Sequence, residues 1–233
     1  MKRILYILFL TPLCLLSVLT IMYISSNKAP FFVIKDIKIN GIKQLQEGEV
    51  IKRISPFIKE TILSLDAKKI RESVMSHPFV KDVRIKTVFP FSVVIDVQEK
   101  KPSALWIDKT GNVMVVDENG EPFRPIGQDM ARNLFVINTK ERMDVKAIFD
   151  EVNSWVKEGI IKKELISEVV YANGNMTLFI TQDGIEVILG KEDQKKRLKR
   201  ALMVLEDAKK RGLLIRCIDA RFEKGAIIQE RQV

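Results

Sequence analysis

Behind one long apolar run, the hydrophobic and polar positions of this chain change period several times, and each change predicts an element. The run comes first. Ile4 to Ile24 carries no charge, follows Lys2 and Arg3, and as a helix with a rise of about 1.5 Å per residue would span roughly 30 Å, the thickness of a bilayer's hydrocarbon core. Beyond it, Val33, Ile37 and Ile39 alternate with Asp36, Lys38 and Asn40 as in a strand, and Asn40-Gly41 turns the chain. Glu47 to Ile54 places Val50, Ile51 and Ile54 on one helical face before Ser55-Pro56 breaks it. Asp66 is an N-cap for a second helix with Ala67, Ile70 and Val74 on one stripe, which His77-Pro78 stops. Val83 and Ile85, then Val93, Ile95 and Val97, give two further strands joined at Phe89-Pro90. The order strand, helix, helix, strand, strand closes one compact unit near residue 100.

Lys100-Lys101-Pro102 marks a boundary, and the region after it is richer in strands. Ser103 to Asp108 and Asn112 to Asp117 flank the turn Lys109-Thr110-Gly111, and Glu118-Asn119-Gly120 makes another turn. A helix is predicted over Val145 to Lys157, ended by Gly159. Strands follow at Ser167 to Ala172, Met176 to Thr181 and Ile185 to Leu189, with turns at Asn173-Gly174 and Asp183-Gly184. Glu192 to Lys210 is the clearest helix, with Leu198, Ala201, Leu202, Leu205 and Ala208 on one stripe and Gly212 past its end. Leu214 to Phe222 and Ala226 to Gln229 are the last strands. The fold class is α+β: a single N-terminal transmembrane helix, a β-α-α-β-β unit, then a mainly antiparallel β domain with two helices. The expected divisions are 1–28, 29–102 and 103–233.

Charge decides the expected topology. Lys2 and Arg3 favour a cytoplasmic N-terminus, so the chain after Lys28 is expected outside the cytoplasm. A cleaved signal peptide is the competing reading. Its apolar core is usually about 7 to 15 residues long, and Ser25-Ser26-Asn27-Lys28-Ala29 lacks small residues at both spaced positions that a signal peptidase reads. Thr11-Pro12-Leu13 before Cys14 is a poor lipidation box. Cys14 and Cys217 lie in different compartments and cannot pair, so stability must come from core burial. The net charge of +9 favours an anionic membrane surface or acidic protein partners. It does not indicate nucleic acid, because the basic residues are not interleaved with stacking aromatics.

Reactive constellations are missing. Ser25-Ser26-Asn27-Lys28 and Lys109-Thr110-Gly111 match two of three motifs of penicillin-binding enzymes, but the middle motif is absent and the serine pair sits at the membrane edge. His77, the single histidine, excludes multi-histidine metal sites and reads as helix punctuation. Cys217 reads as a core thiol, Glu118 and Glu121 as solvated acids of a turn. The run Lys195-Lys196-Arg197 with Lys199 and Arg200 reads as a solvated helix face, with lipid headgroups or an acidic coil as the alternative. No cofactor, metal or small-molecule substrate is expected.

The segment His77-Pro78-Phe79-Val80-Lys81-Asp82-Val83, followed by Val93-Val94-Ile95-Asp96-Val97-Gln98-Glu99-Lys100-Lys101-Pro102-Ser103-Ala104-Leu105-Trp106, resembles the second half of a POTRA domain running into the next domain of the FtsQ/DivIB family of bacterial cell-division proteins. Gly184-Ile185-Glu186-Val187-Ile188-Leu189-Gly190, Arg197-Leu198 and Ile218-Asp219-Ala220-Arg221-Phe222 with Gly225 resemble that family's C-terminal β domain in order and spacing. The resemblance implies a non-enzymatic scaffold that binds other division proteins, helps control septal peptidoglycan synthesis and concentrates at the septum in the cytoplasmic membrane. An adaptor bearing a POTRA domain, for protein export or envelope assembly, is the alternative. The resemblance further implies partners of the FtsB and FtsL type, received on the final strand and the turn before it. The matching positions are Arg221, Phe222, Lys224 and Gly225, with Ala226, Ile227 and Ile228 on the strand. The three residues before the apolar run leave almost nothing for a cytoplasmic contact, and no tail is expected after the last strand.

Overall fold

Uncharged from Ile4 onward, the first element forms a continuous helix, α1 (Lys2–Ser25), with Pro12 inside it. The computed structural model describes residues 2–25, 33–59, 61–127, 134–180 and 184–231, with the side chains of 2–10, 24, 25 and 63 outside that description. The side chains of α1 that are described, from 11 to 23, are all exposed. Among the described residues no helix is long and apolar enough to cross a membrane. Ser26-Asn27-Lys28 and part of the Asp183-Gly184 turn lie outside the described residues. Contacts divide the chain into two units, Met1–Lys100 and Lys101–Val233.

In the first unit, alternation builds a three-stranded sheet from β1 (Asp36–Asn40), β2 (Val80–Val88) and β3 (Ser92–Glu99), in the order β1-β3-β2. β1 runs parallel to β3, with Asp36 opposite Ser92, and β2 runs antiparallel to it, with Val83 opposite Val97. The connection from β1 to β3 carries α2 (Glu47–Ile54) and α3 (Ala67–Met75), as a parallel crossover requires. The Asp66 carboxylate accepts a hydrogen bond from the Lys69 N–H at 3.1 Å, so the predicted cap is made. Val50 and Ile54 of α2 and Ile70 and Val74 of α3 are buried in one cluster with Val80, Val83, Val93, Ile95 and Val97. Gly41 is fixed by contact as well as by its φ of +84°, because a Cβ there would lie 2.1 Å from the Val97 carbonyl oxygen.

Glu99 at the end of β3 holds the loop after β1. The backbone N–H groups of Lys43, Gln44 and Leu45 donate to its carboxylate at 2.7, 3.0 and 2.9 Å. Replacing this charged acceptor strands three donors at once. Glu99→Ala is expected to destabilise the unit by about 1 to 3 kcal/mol, read as a lower melting temperature. A melting temperature equal to that of the unchanged chain would mean that water satisfies these amides equally well.

The second unit is a nine-stranded sheet with two helices, and it contains elements that the hydrophobic pattern missed. Its strands are β4 (Pro102–Ile107), β5 (Val113–Asp117), β6 (Pro122–Pro125), β7 (Val136–Thr139), β8 (Ile166–Ala172), β9 (Asn175–Ile180), β10 (Ile185–Gly190), β11 (Ile215–Asp219) and β12 (Ile227–Glu230). Their order is β12-β11-β10-β9-β8-β7-β4-β5-β6. β6 and β7 were not predicted. Pairing is mainly antiparallel, as expected, but β4 with β7, β7 with β8, and β10 with β11 are parallel. The last two join through α4 (Arg142–Lys157) and α5 (Gln194–Lys210), so these helices are crossovers. Their apolar stripes, including Ile148, Val152 and Trp155 of α4 and Leu198, Ala201 and Leu205 of α5, form one buried cluster with Ile137, Val169, Leu178 and Val187 of the sheet.

A candidate strand-docking edge

A sheet's outer strand offers backbone N–H and C=O groups that its fold does not use, and the two ends of this sheet treat that liability differently. β6 is four residues long and begins and ends with proline, which removes two donors and blunts that edge. β12 contains no proline and reads Ile-Ile-Gln-Glu. It pairs antiparallel with β11, Asp219 opposite Ile227 and Ile218 opposite Ile228, and among the described residues no strand pairs with its other side. The Arg231 N–H donates inward to the Leu214 carbonyl at 2.7 Å. Antiparallel alternation then points the N–H and C=O of Ile228 and Glu230 outward.

The residues singled out in the sequence fall on three parts of this edge. Ile227 and Ile228 lie on β12, Ile227 53% exposed and Ile228 packed against the core. Ala226 precedes the strand and also packs against the core. Arg221, Phe222, Lys224 and Gly225 lie in the loop between β11 and β12, because β11 ends at Asp219 and not at Phe222 as predicted. Phe222 is 47% exposed, so it is not a core residue. Lys224 is exposed.

Arg221 is not free to meet an incoming acid. Its Nε and Nη2 donate to the Asp219 carboxylate at 2.9 and 2.6 Å. The hydrogen bond from Arg221 holds Asp219 below the usual carboxylate range and raises the guanidinium in turn. Opposite charges two residues apart share one side of an extended chain, so this pair had a signal in the sequence. Gly190, at φ +77°, lets both arginines of the neighbourhood pack over it, since a Cβ would meet Arg197 Nη1 at 2.8 Å and Arg221 Cγ at 3.0 Å.

Arg200 was missed. The run from Lys195 to Arg200 is not simply a solvated face, because Arg200 of α5 reaches the loop before β12 and donates to three carbonyls. They are Ala220 at 2.7 Å, Glu223 at 2.8 Å and Phe222. Arg197 donates to the Leu189 carbonyl at 2.7 Å, and Lys195 pairs with Glu158. These bonds position the β11–β12 loop and with it Phe222. No sequence period announces them, since the acceptors are backbone atoms about 20 residues further along the chain. At the far end of β12, Leu213, Leu214, Ile185, Leu205 and Arg231 line an open depression of about 360 Å³.

The remaining candidates have structural roles. The Phe79 N–H donates to His77 Nδ1 at 3.2 Å, and burial lowers the imidazole's pKa. Lys109-Thr110-Gly111 is a turn organised by Asp108, which accepts from the Thr110 hydroxyl at 2.6 Å and the Asn112 N–H at 2.9 Å. Those bonds, the Thr110 hydroxyl first, bring Asp108 down to about 2. Glu118 is more than a solvated acid, because it accepts the Lys101 N–H at 2.8 Å. Cys217 is buried, and burial pushes its thiol up. Among the described residues no group of three or more His, Cys, Asp or Glu could hold a metal ion.

Two family models match this architecture. The model described as "Cell division protein FtsQ/DivIB, C-terminal" matches residues 104–221, and the one described as "POTRA domain, FtsQ-type" matches 32–100. A protein of Hahella chejuensis named "Cell division protein FtsQ" is 26% identical over 202 residues, 82% of this chain and 67% of the relative. "Cell division protein DivIB" of Clostridium tetani is 26% identical over 192 residues, 76% of this chain and 71% of the relative. "Cell division protein FtsQ" of Geotalea daltonii is 21% identical over 212 residues, covering 86% and 76% of the two chains. β12 lies beyond the residues matched by the C-terminal model.

Proposed function

Since the chain belongs to the FtsQ/DivIB family of cell-division proteins, we propose that it is a non-enzymatic, single-pass membrane scaffold of the bacterial division machinery. In this role it binds partners of the FtsB and FtsL type and helps control septal peptidoglycan synthesis. The observation that carries the reading is the open edge of β12, with exposed Phe222 and Ile227 beside it. An added strand would take up the outward backbone groups while side chains supply selectivity.

The anchor is part of the same proposal. α1 runs for 24 residues, which corresponds to about 36 Å of helix, and its uncharged stretch from Ile4 follows Lys2 and Arg3. That arrangement favours an N-terminus in the cytoplasm and both folded units outside it. A reporter active only outside the cytoplasm, fused after Val233, is expected to be active, and a fluorescent fusion is expected at mid-cell. Inactivity of the first would overturn the topology. Uniform peripheral signal from the second would count against the division role while leaving the anchor in place.

A further inference from the structure

One end of the first unit's sheet leads back to α1. Asp36, the first residue of β1, lies opposite Ser92, the first residue of β3, so the β2–β3 turn sits at the end of the sheet where the chain arrives from the helix. Residues 26–35 join Ser25 to Asp36, and a fully extended stretch of that length reaches no more than about 40 Å. This turn is apolar at its tip. Val88 is 51% exposed and Phe89 60% exposed, where a hairpin turn in water ordinarily carries polar residues.

A lysine stands beside the tip. Lys35 Nζ lies 4.3 Å from the centroid of the Phe91 ring. From Lys86 to Ile95 the chain contains no acid. Of the acids on β1 and β3 in this part of the sheet, Asp36 pairs with Lys38 at 3.6 Å and Asp96 with Lys86 at 2.7 Å. Exposed aromatic and aliphatic side chains beside lysine suit the boundary between headgroups and acyl chains of an anionic membrane.

We propose that the β2–β3 tip, with Val88 and Phe89 inserted and Lys35 beside them, docks on the anionic surface of the membrane that holds α1. The proposal rests on the anchor reading above. Tethering by α1 keeps the tip at high local concentration near the surface, so a weak contact is enough. Docking would fix the orientation of the first unit relative to the bilayer.

The test uses the full chain carrying Phe89→Trp in nanodiscs of phosphatidylglycerol and phosphatidylcholine, with bromine at shallow or deep acyl positions. Trp106 and Trp155 are buried, and the unchanged chain measures their background. With insertion to about 5–10 Å, the added indole should lose roughly half its emission in shallow-brominated discs and less in deep-brominated ones. Val88→Asp or Lys35→Glu in the same background should remove most of that quenching, and so should replacing phosphatidylglycerol by phosphatidylcholine. Emission unaffected by bromine, with the chain still co-eluting with the discs, overturns the docking and leaves the anchor intact. Failure to co-elute overturns the anchor and the docking together.

Discussion

Val83→Asp is expected to unfold the first unit. Val83 is 1% exposed, faces Val97 across the β2–β3 ladder and belongs to the cluster formed with Ile54, Ile70, Val74 and Ile95. The substitution loses about 1.5 to 3 kcal/mol of apolar burial. It also places a carboxylate among the apolar side chains of that cluster, and Arg71 nearby is already bonded to Asp82 and to the Val83 carbonyl, so the cost is several kcal/mol more. A domain of this size has about 5 to 15 kcal/mol in total. The sequence alone made Ile85 an equal target, but Ile85 is only partly buried, and a carboxylate there can turn toward water. Ile85→Asp is therefore expected to cost clearly less. Hydrogen exchange on the full chain in detergent would read both effects. Amides of β2 and β3 should lose protection in Val83→Asp, while those of β8 to β10, around a separate core, keep theirs. Unchanged protection of β2 in Val83→Asp would mean that the strand's inward face is wrongly assigned.

The inward face of β2 was legible because a strand's period of two is local, and so was the Asp66 cap. What the pattern did not disclose depends on distant partners. β7 has four residues, Val136–Thr139, too few to display a period, and takes its place only between β4 and β8. β6 carries prolines at both ends, which read as loop. Two of the three parallel pairings, β7 with β8 and β10 with β11, follow from where α4 and α5 pack, which no window of sequence contains. β11 ends before its alternation does, which continues into Ala220 and Phe222, because Arg200 takes up the carbonyls of both residues. α5 begins at Gln194, two residues after the predicted start at Glu192, because Asp193 adopts φ +49°. At the candidate edge, side-chain identities were readable from resemblance; which of them are occupied was not, as Arg221 with Asp219 illustrates.

That occupancy changes how the edge should be tested. Arg221→Glu would set a second carboxylate against Asp219, so a loss of binding there could not be separated from a disturbed loop. Phe222→Ala and Ile227→Ala are better, because both side chains are about half exposed and their removal leaves little cavity. If an incoming strand packs on them, each truncation should weaken binding of an FtsB-type partner by at least about 1 to 2 kcal/mol, roughly tenfold in Kd. The backbone part of the hypothesis needs its own variant. Glu230→Pro removes one outward N–H from an exposed position on an edge strand, where proline is tolerated, so the domain should keep its melting temperature and still lose affinity. Glu230→Ala keeps the N–H and serves as its control. Titration calorimetry with the purified chain would separate the cases. Affinity lost in Glu230→Pro but kept in Glu230→Ala, with an unchanged melting temperature in both, indicates strand addition, because the missing N–H and the ring in its place obstruct only a strand paired on that side. Affinity lost in the Phe222 and Ile227 variants alone indicates a side-chain surface without an added strand. Unchanged affinity in all of them would sink the site, since neither the ladder nor its apolar anchors would then be in contact with the partner.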